Sequence, residues 1–215
     1  MGKFRKYFSL IISASLILSC LTACGKPSPA SLGIEKPTKG GFEPIEIQGL
    51  SVYSNAKINS SSRIASIEIE TSKLSKIKEG YKVNVYLDSA ISYDGIVKSL
   101  PDTNAIGGSS TCTIEAALDA DSDLDLSDDT KYSARIFLPA KDGVWVVLCV
   151  CIEDGNNGKK YVWASRKKQE EIKPNEDCWE LMEVKTGETD GKNIEITEGL
   201  KGFKTLLFAF NRLGT

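Results

Sequence analysis

Six cysteines and no histidine bound the chemistry open to this chain of 215 residues. Without an imidazole, the Ser-His-Asp and Cys-His nucleophile arrangements and the usual zinc sites are closed to it. The chain carries neither a Gly-x-Ser-x-Gly elbow nor a glycine-rich phosphate loop. The residue types therefore point away from an enzyme, and no catalytic, cofactor-binding or metal-ligating set is assigned. Cys112, Cys149, Cys151 and Cys178 lie in the body of the chain, and outside the cytosol four cysteines allow two disulfides by three pairings. Cys149 and Cys151 fall in the apolar run 146–152. If that run is a strand, both thiols face the same side and are poorly placed to bridge each other. They read as small buried hydrophobes, with a bridge from Cys178 to one of them as the alternative.

Other chemistry-bearing residues have plainer readings. Asp119, Asp121, Asp123, Asp125, Asp128 and Asp129 suggest a calcium loop by their alternation. Leu124, however, stands where an EF-hand starting at Asp119 needs glycine, and Thr130 where it needs glutamate. The stretch is expected to be a solvated hairpin connection. Trp145, Trp163 and Trp179 could line a ligand groove but are expected to fill a β core. Arg166-Lys167-Lys168, followed by Gln169-Glu170-Glu171, could meet anionic lipid or an acidic partner and is expected to be a solvated turn. A net charge of −2 with no basic stripe argues against nucleic acid.

The N-terminus decides where these residues work. Lys3, Arg5 and Lys6 precede an apolar run over 7–18, the layout of a secretory signal peptide. About a dozen residues is too short for the roughly 20 that span a bilayer as a helix. Leu21-Thr22-Ala23-Cys24 comes next and resembles the lipobox of bacterial lipoproteins. In that family the thiol takes a diacylglycerol and a dedicated peptidase cuts just before the cysteine. Small side chains open the bond, and sulfur is the nucleophile. The resemblance implies a signal peptide over 1–23, palmitate-type acylation of Cys24, and a mature chain of about 190 residues held to the outer face of a cell membrane. Each buried methylene adds about 0.8 kcal/mol to such anchoring. Cys20 fits less well, because Leu18 stands where a small residue is wanted. Lys6 occupies the Ser/Thr position that a myristoylation signal requires. Residues 24–33, rich in Gly, Pro and Ser, read as a flexible tether.

Beyond the tether, strand signals dominate. Apolar and polar residues alternate over 63–71 and 81–87, the period of half-buried strands. Residues 72–77 predict one helical turn, ended near Gly80. Further strands are expected over 92–100, 111–118, 132–138, 144–152, 160–165, 179–186, 193–196 and 204–210. Asp154-Gly155-Asn156-Asn157-Gly158 is a strong hairpin signal. About ten short strands with almost no helix argue an all-β barrel or sandwich.

Three stretches, in order, resemble the membrane fusion proteins, the periplasmic adaptors of bacterial exporters. Ile34-x-x-Pro37-x-x-Gly40 and Gly49-x-x-Val52-x-x-Asn55-x-x-Ile58 resemble the family's second lipoyl half-motif, with Asn55 where glycine is usual. Ser66-Ile67-Glu68-Ile69-Glu70-Thr71, the run 74–83, Asp94-Gly95-Ile96-Val97 and Thr111-Cys112-Thr113 resemble its barrel. Ile194-Glu195-Ile196-Thr197-Glu198-Gly199-Leu200-Lys201-Gly202, with the hairpin over 149–162, resembles its membrane-proximal domain. The resemblance implies a half-lipoyl segment over 34–62, a small β-barrel over 63–140 and a β-rich membrane-proximal domain over 141–215. The family's first lipoyl half, helical hairpin and N-terminal strand pairing into the last domain are expected to be missing here, leaving the apolar face of the half-lipoyl segment loose or paired to another molecule.

The function this implies is that of a lipid-anchored, non-catalytic accessory or scaffold subunit of an ABC-type or related efflux transporter. Its partners would be membrane lipid through Cys24 and a transporter permease, with a homo-oligomer as a further option. The alternative is a stand-alone surface lipoprotein that binds a small ligand or cell-wall component in a barrel mouth.

Overall fold

The computed structural model describes residues 26–87, 92–102, 109–119 and 130–209. It is all-β, as the alternation predicts, and contains a closed barrel and a curled sheet.

The barrel takes six strands: β2 (Ser51–Asn59), β3 (Ile64–Glu70), β4 (Lys82–Tyr86), β5 (Ser92–Ser99), β6 (Thr111–Leu118) and β7 (Tyr132–Phe137). They close in the order β2-β3-β6-β5-β4-β7, with β7 returning to β2. Every second residue points inward, so Ile67 faces Ile114 across the β3–β6 pair, while Ile136 faces both Val52 and Val83. These side chains fill the interior, and Ile67, Ile69, Ile114 and Ile136 are fully buried. A single turn α1 (Thr71–Leu74) adds Leu74, and Ile77 just beyond it, to the same cluster. Two glycines are sterically required. Gly80 turns the chain at φ +84 and donates to the Val97 carbonyl at 2.8 Å. A Cβ on Gly95 would lie 2.3 Å from the Ala117 carbonyl oxygen.

The curled sheet runs β1 (Gly40–Pro44), β13 (Thr205–Ala209), β10 (Lys160–Ser165), β11 (Glu180–Thr189), β12 (Asn193–Glu198) and β8 (Trp145–Leu148), with β9 (Glu153–Asp154) paired to β10. Just beyond β1, Glu46 bridges Val146 of β8, so the two ends of the sheet approach each other. Its inner face holds Val147, Val162, Ala164, Ile196, Leu206 and Phe208. The central strands β10 and β13 are buried on both faces.

Four expectations are corrected. The stretch read as a half-lipoyl segment is divided: β1 completes the curled sheet, and β2 is the longest barrel strand, so the barrel begins at Ser51 rather than at residue 63. The apolar face of that stretch, expected to be loose or paired between molecules in part, is buried instead, with Val52, Ala56 and Ile58 in the barrel cluster. The N-terminal strand expected to be missing is β1, registered on β13 from Gly40↔Ala209 to Pro44↔Thr205. The strand expected over 144–152 stops at Leu148, and Cys149–Cys151 form a 3-10 turn. The two thiols therefore do not share a side: Cys151 is in the core cluster, while the half-buried Cys149 Sγ lies 3.5 Å from Thr189 Oγ1.

Candidate anchor strap and interdomain joint

Cys24, the one candidate modification site, lies outside the described residues. The described chain begins two residues beyond it, at Lys26. Ser28 caps a 3-10 turn, Pro29–Leu32, with its hydroxyl accepting from the Ser31 amide at 3.3 Å. Gly33, at φ +68, ends the turn in the left-handed region. The turn presents Leu32 and then Ile34 to the outer face of the curled sheet, where they are 4% and 3% exposed. Asn156, at the β9–β10 hairpin, fastens them: its amide donates to the Leu32 carbonyl at 3.0 Å and its Nδ2 to the Ser31 carbonyl at 3.1 Å. Lys36 pairs with Asp177 at 2.6 Å. The tether expected over 24–33 is thus not free beyond Ser28. From there on it is a strap.

The strap lies where the sheet would otherwise expose apolar surface. Across four strands the register aligns Phe42, Leu207, Trp163 and Leu181 in one row. Leu32, Ile34, Tyr161, Trp163 and Leu207 form one buried cluster, and Trp179 and Leu181 pack against it. Trp179 also stacks on Phe42, with centroids 5.5 Å apart. Burying two such aliphatic side chains contributes about 1.5–3 kcal/mol each. The cover leaves Trp163 Nε1 buried without a hydrogen-bond partner among the described residues. Two of the three tryptophans thus serve this outer cluster, and Trp145 packs at the inner core.

A second polar locus joins the two bodies. Irregularities in the β11–β12 pairing carry the 188–193 turn away from the sheet toward the barrel. Asp190 Oδ2 accepts from the Ser51 amide at 3.0 Å, while its Oδ1 accepts from the Lys192 and Asn193 amides at 3.0 and 2.7 Å. Partial burial raises the Asp190 carboxyl, but the bonds from Asn193, Lys192 and Ser51 outweigh it and hold the group below its ordinary range. Glu188 pairs with Lys76 of the barrel at 3.1 Å and with Lys141 at 3.4 Å, and these two ammonium groups lower its carboxyl, Lys76 first. Lys141 is raised, chiefly by the nearly buried Glu195 at 2.8 Å. Arg135 Nε donates to Ser51 Oγ at 2.9 Å and its guanidinium stacks on Phe137, while Lys192 sits over the Tyr53 ring. The two connecting segments touch so closely that a Cβ on Gly49 would lie 1.8 Å from the Leu138 carbonyl oxygen.

A cleft of about 170 Å³ at this joint is bordered by Ser51, Tyr53, Lys73, Lys76, Leu138 and Asp190. Two larger clefts, about 590 and 670 Å³, open on the barrel surface, and no tryptophan lines any of the three. The structure joins none of Cys112, Cys149, Cys151 and Cys178 in a disulfide. Of the acidic loop only Asp119 is described, and the rest lies outside the described residues. No group of three or more Cys, Asp or Glu placed to hold a metal occurs among the described residues. Arg166 and Lys167 pair with Glu180 and Glu176, in keeping with a solvated turn. No described helix is long and apolar enough to cross a membrane.

The strap was readable in part. Ser28 before Pro29, with Gly33 past the end, is the cap and stop pattern of a short helical turn, and two apolar residues at alternate positions flank that glycine. The joint carries no such signal, because its partners are far apart in the chain, 47 positions for Lys141 and Glu188 and 139 for Ser51 and Asp190.

No family model and no curated protein matches the chain. Among solved structures it is similar to ZneB from Cupriavidus metallidurans, at 16% identity and a TM-score of 0.31, covering 68% of this chain and 40% of that one. It is also similar to MacA from Actinobacillus actinomycetemcomitans, at 12% identity and a TM-score of 0.40, covering 66% and 41%. The chain spans about two fifths of the length of these structures.

Proposed function

We propose that the chain is an exported lipoprotein, acylated at Cys24 and held to the extracytoplasmic face of a cell membrane, that belongs with the membrane fusion proteins. It serves a transporter permease as an accessory or scaffold subunit, without catalysis. The observation that carries this reading is the arrangement of two β bodies in series, a closed barrel and a curled sheet completed by a strand from the N-terminal side. That is the order of barrel and membrane-proximal domain implied by the motifs around Asp94-Gly95 and 194–202.

Side chains occupy the barrel interior from Ile58 to Ile136, which speaks against a ligand held inside it. The work then falls to surfaces, and the exposed Ile96 and Phe137, which border the same barrel cleft, are contact candidates. The test is affinity capture of the intact acylated chain from detergent-solubilised membranes after mild cross-linking. Recovery of a permease or its ATPase is the expected result. Recovery of the chain alone, with Cys24 acylated by mass spectrometry, would defeat the adaptor role.

A further inference from the structure

The strap sets how far from a membrane this protein can stand. We infer that docking of Pro29–Leu32 and Ile34 on the curled sheet makes the anchor a short leash, which holds the β9–β10 hairpin and the strapped face against the lipid headgroup layer. This rests on the reading of Cys24 as the lipidated residue.

Covalent geometry carries the inference. From Cys24 to the capping Ser28 is four residues, at most about 14 Å in any conformation. The 3-10 turn adds only about 2 Å per residue. Asn156, hydrogen-bonded to the Leu32 and Ser31 carbonyls, therefore lies within roughly 25 Å of the acylated residue. Were the strap free, the next held residue would be Gly40 of β1, and the same anchor would allow about 55 Å. Docking thus shortens the reach about twofold and selects which face looks toward the lipid.

The charges on that face suit a bilayer of any headgroup. Lys36 pairs with Asp177, Lys159 with Glu183 and Lys160 with Asp154, so these three lysines are each matched to a carboxylate, and Lys26 adds one further charge before the strap. The half-exposed Phe42 stacked on Trp179 borders the same cluster, and aromatic rings of this kind suit a boundary that is wet on one side. The hold is therefore covalent and steric, and should not depend on anionic lipid.

The experiment uses the full acylated chain in phosphatidylcholine vesicles carrying a headgroup-labelled energy acceptor. The donor dye is attached through a genetically encoded residue at Asn157, at the hairpin tip. Efficient transfer is expected. Two variants should each lower it by about twofold: a flexible insertion of about 20 residues between Gly25 and Lys26, which leaves the strap untouched, and Leu32→Asp with Ile34→Asp, which releases it. Acylated protein whose transfer ignores the insertion would overturn the leash. So would transfer that requires phosphatidylglycerol. A chain without acyl groups on Cys24 would instead remove the anchoring reading itself, and mass spectrometry shows that before any transfer is measured.

Discussion

The barrel and the curled sheet are both antiparallel, yet they solve burial differently. The barrel has one apolar face and closes on itself, so β3, with its strict alternation of buried and exposed residues, needs nothing further to cover it. The curled sheet is apolar on both faces at β10 and β13. Its inner face is covered by its own curvature and its outer face by a borrowed strap and by Trp179. The difference teaches that a closed sheet is locally self-sufficient, whereas a doubly buried strand ties its stability to distant segments.

The sharpest way to break this comparison is at the barrel core. Ile67→Ala should destabilise by about 2–5 kcal/mol, and the barrel strands should unfold together in denaturant. A loss well under that range would mean that the interior relaxes to fill the gap. Leu32→Ala should cost somewhat less, about 2–3 kcal/mol, and should act on the curled sheet alone. Hydrogen exchange would then quicken at β10 and β13 while barrel amides keep their protection, and Trp163 emission would move to the red. Equal loss of protection in both bodies would show that the strap is not specific to the sheet.

A smaller effect is expected at the joint. Asp190→Ala removes the acceptor for the Ser51 amide and should cost about 1–2 kcal/mol, read as faster exchange at that amide. The pH dependence has a definite sign. Both Asp190 and Glu188 are held below their ordinary values. Their contribution is therefore fully present above an unfolded-state pKa of about 4 and is lost as pH falls through the lower folded values. Acid should loosen the joint before it opens the barrel, and Asp190→Asn should flatten that slope. The smallest change is at Glu43, whose carboxyl is raised by burial and then by Glu46. Here the folded state binds the proton more tightly, so stability declines as pH rises through that range. Glu43→Gln should raise the melting midpoint slightly at neutral pH and not below about pH 4.

How much of this was legible depends on how local each signal is. The barrel strands β3, β6 and β7 and the hairpin after Asp154 were expected within a residue or two, because alternation and turn chemistry reside in neighbouring residues. β1 was missed because Gly40-Gly41 carries little strand propensity. A Cβ on Gly41 would lie 2.6 Å from the Phe208 ring, so the residues that hide the strand from propensity are those that let it seat. β2 is hidden within the half-lipoyl reading because Gly49 and Asn55 match that motif, yet Asn55 pairs with both Glu68 and Ser133 in the barrel sheet. The run 144–152 read as one strand because apolar content does not distinguish a strand from a buried turn.

By itself, the order of residues determined the all-β class, most strand positions, the absence of imidazole chemistry and the candidate anchor at Cys24. Each comes from side-chain type or from a period of two. Only the tertiary structure decided that β1 and β2 belong to different bodies, that Leu32 and Ile34 strap the outer sheet, and that Asp190 and Glu188 bind the two bodies together. These are pairings between residues far apart in the chain. Their energy comes from surfaces that exist only once the strands have met, so a local pattern can show a turn at Ser28–Gly33 but not what it covers.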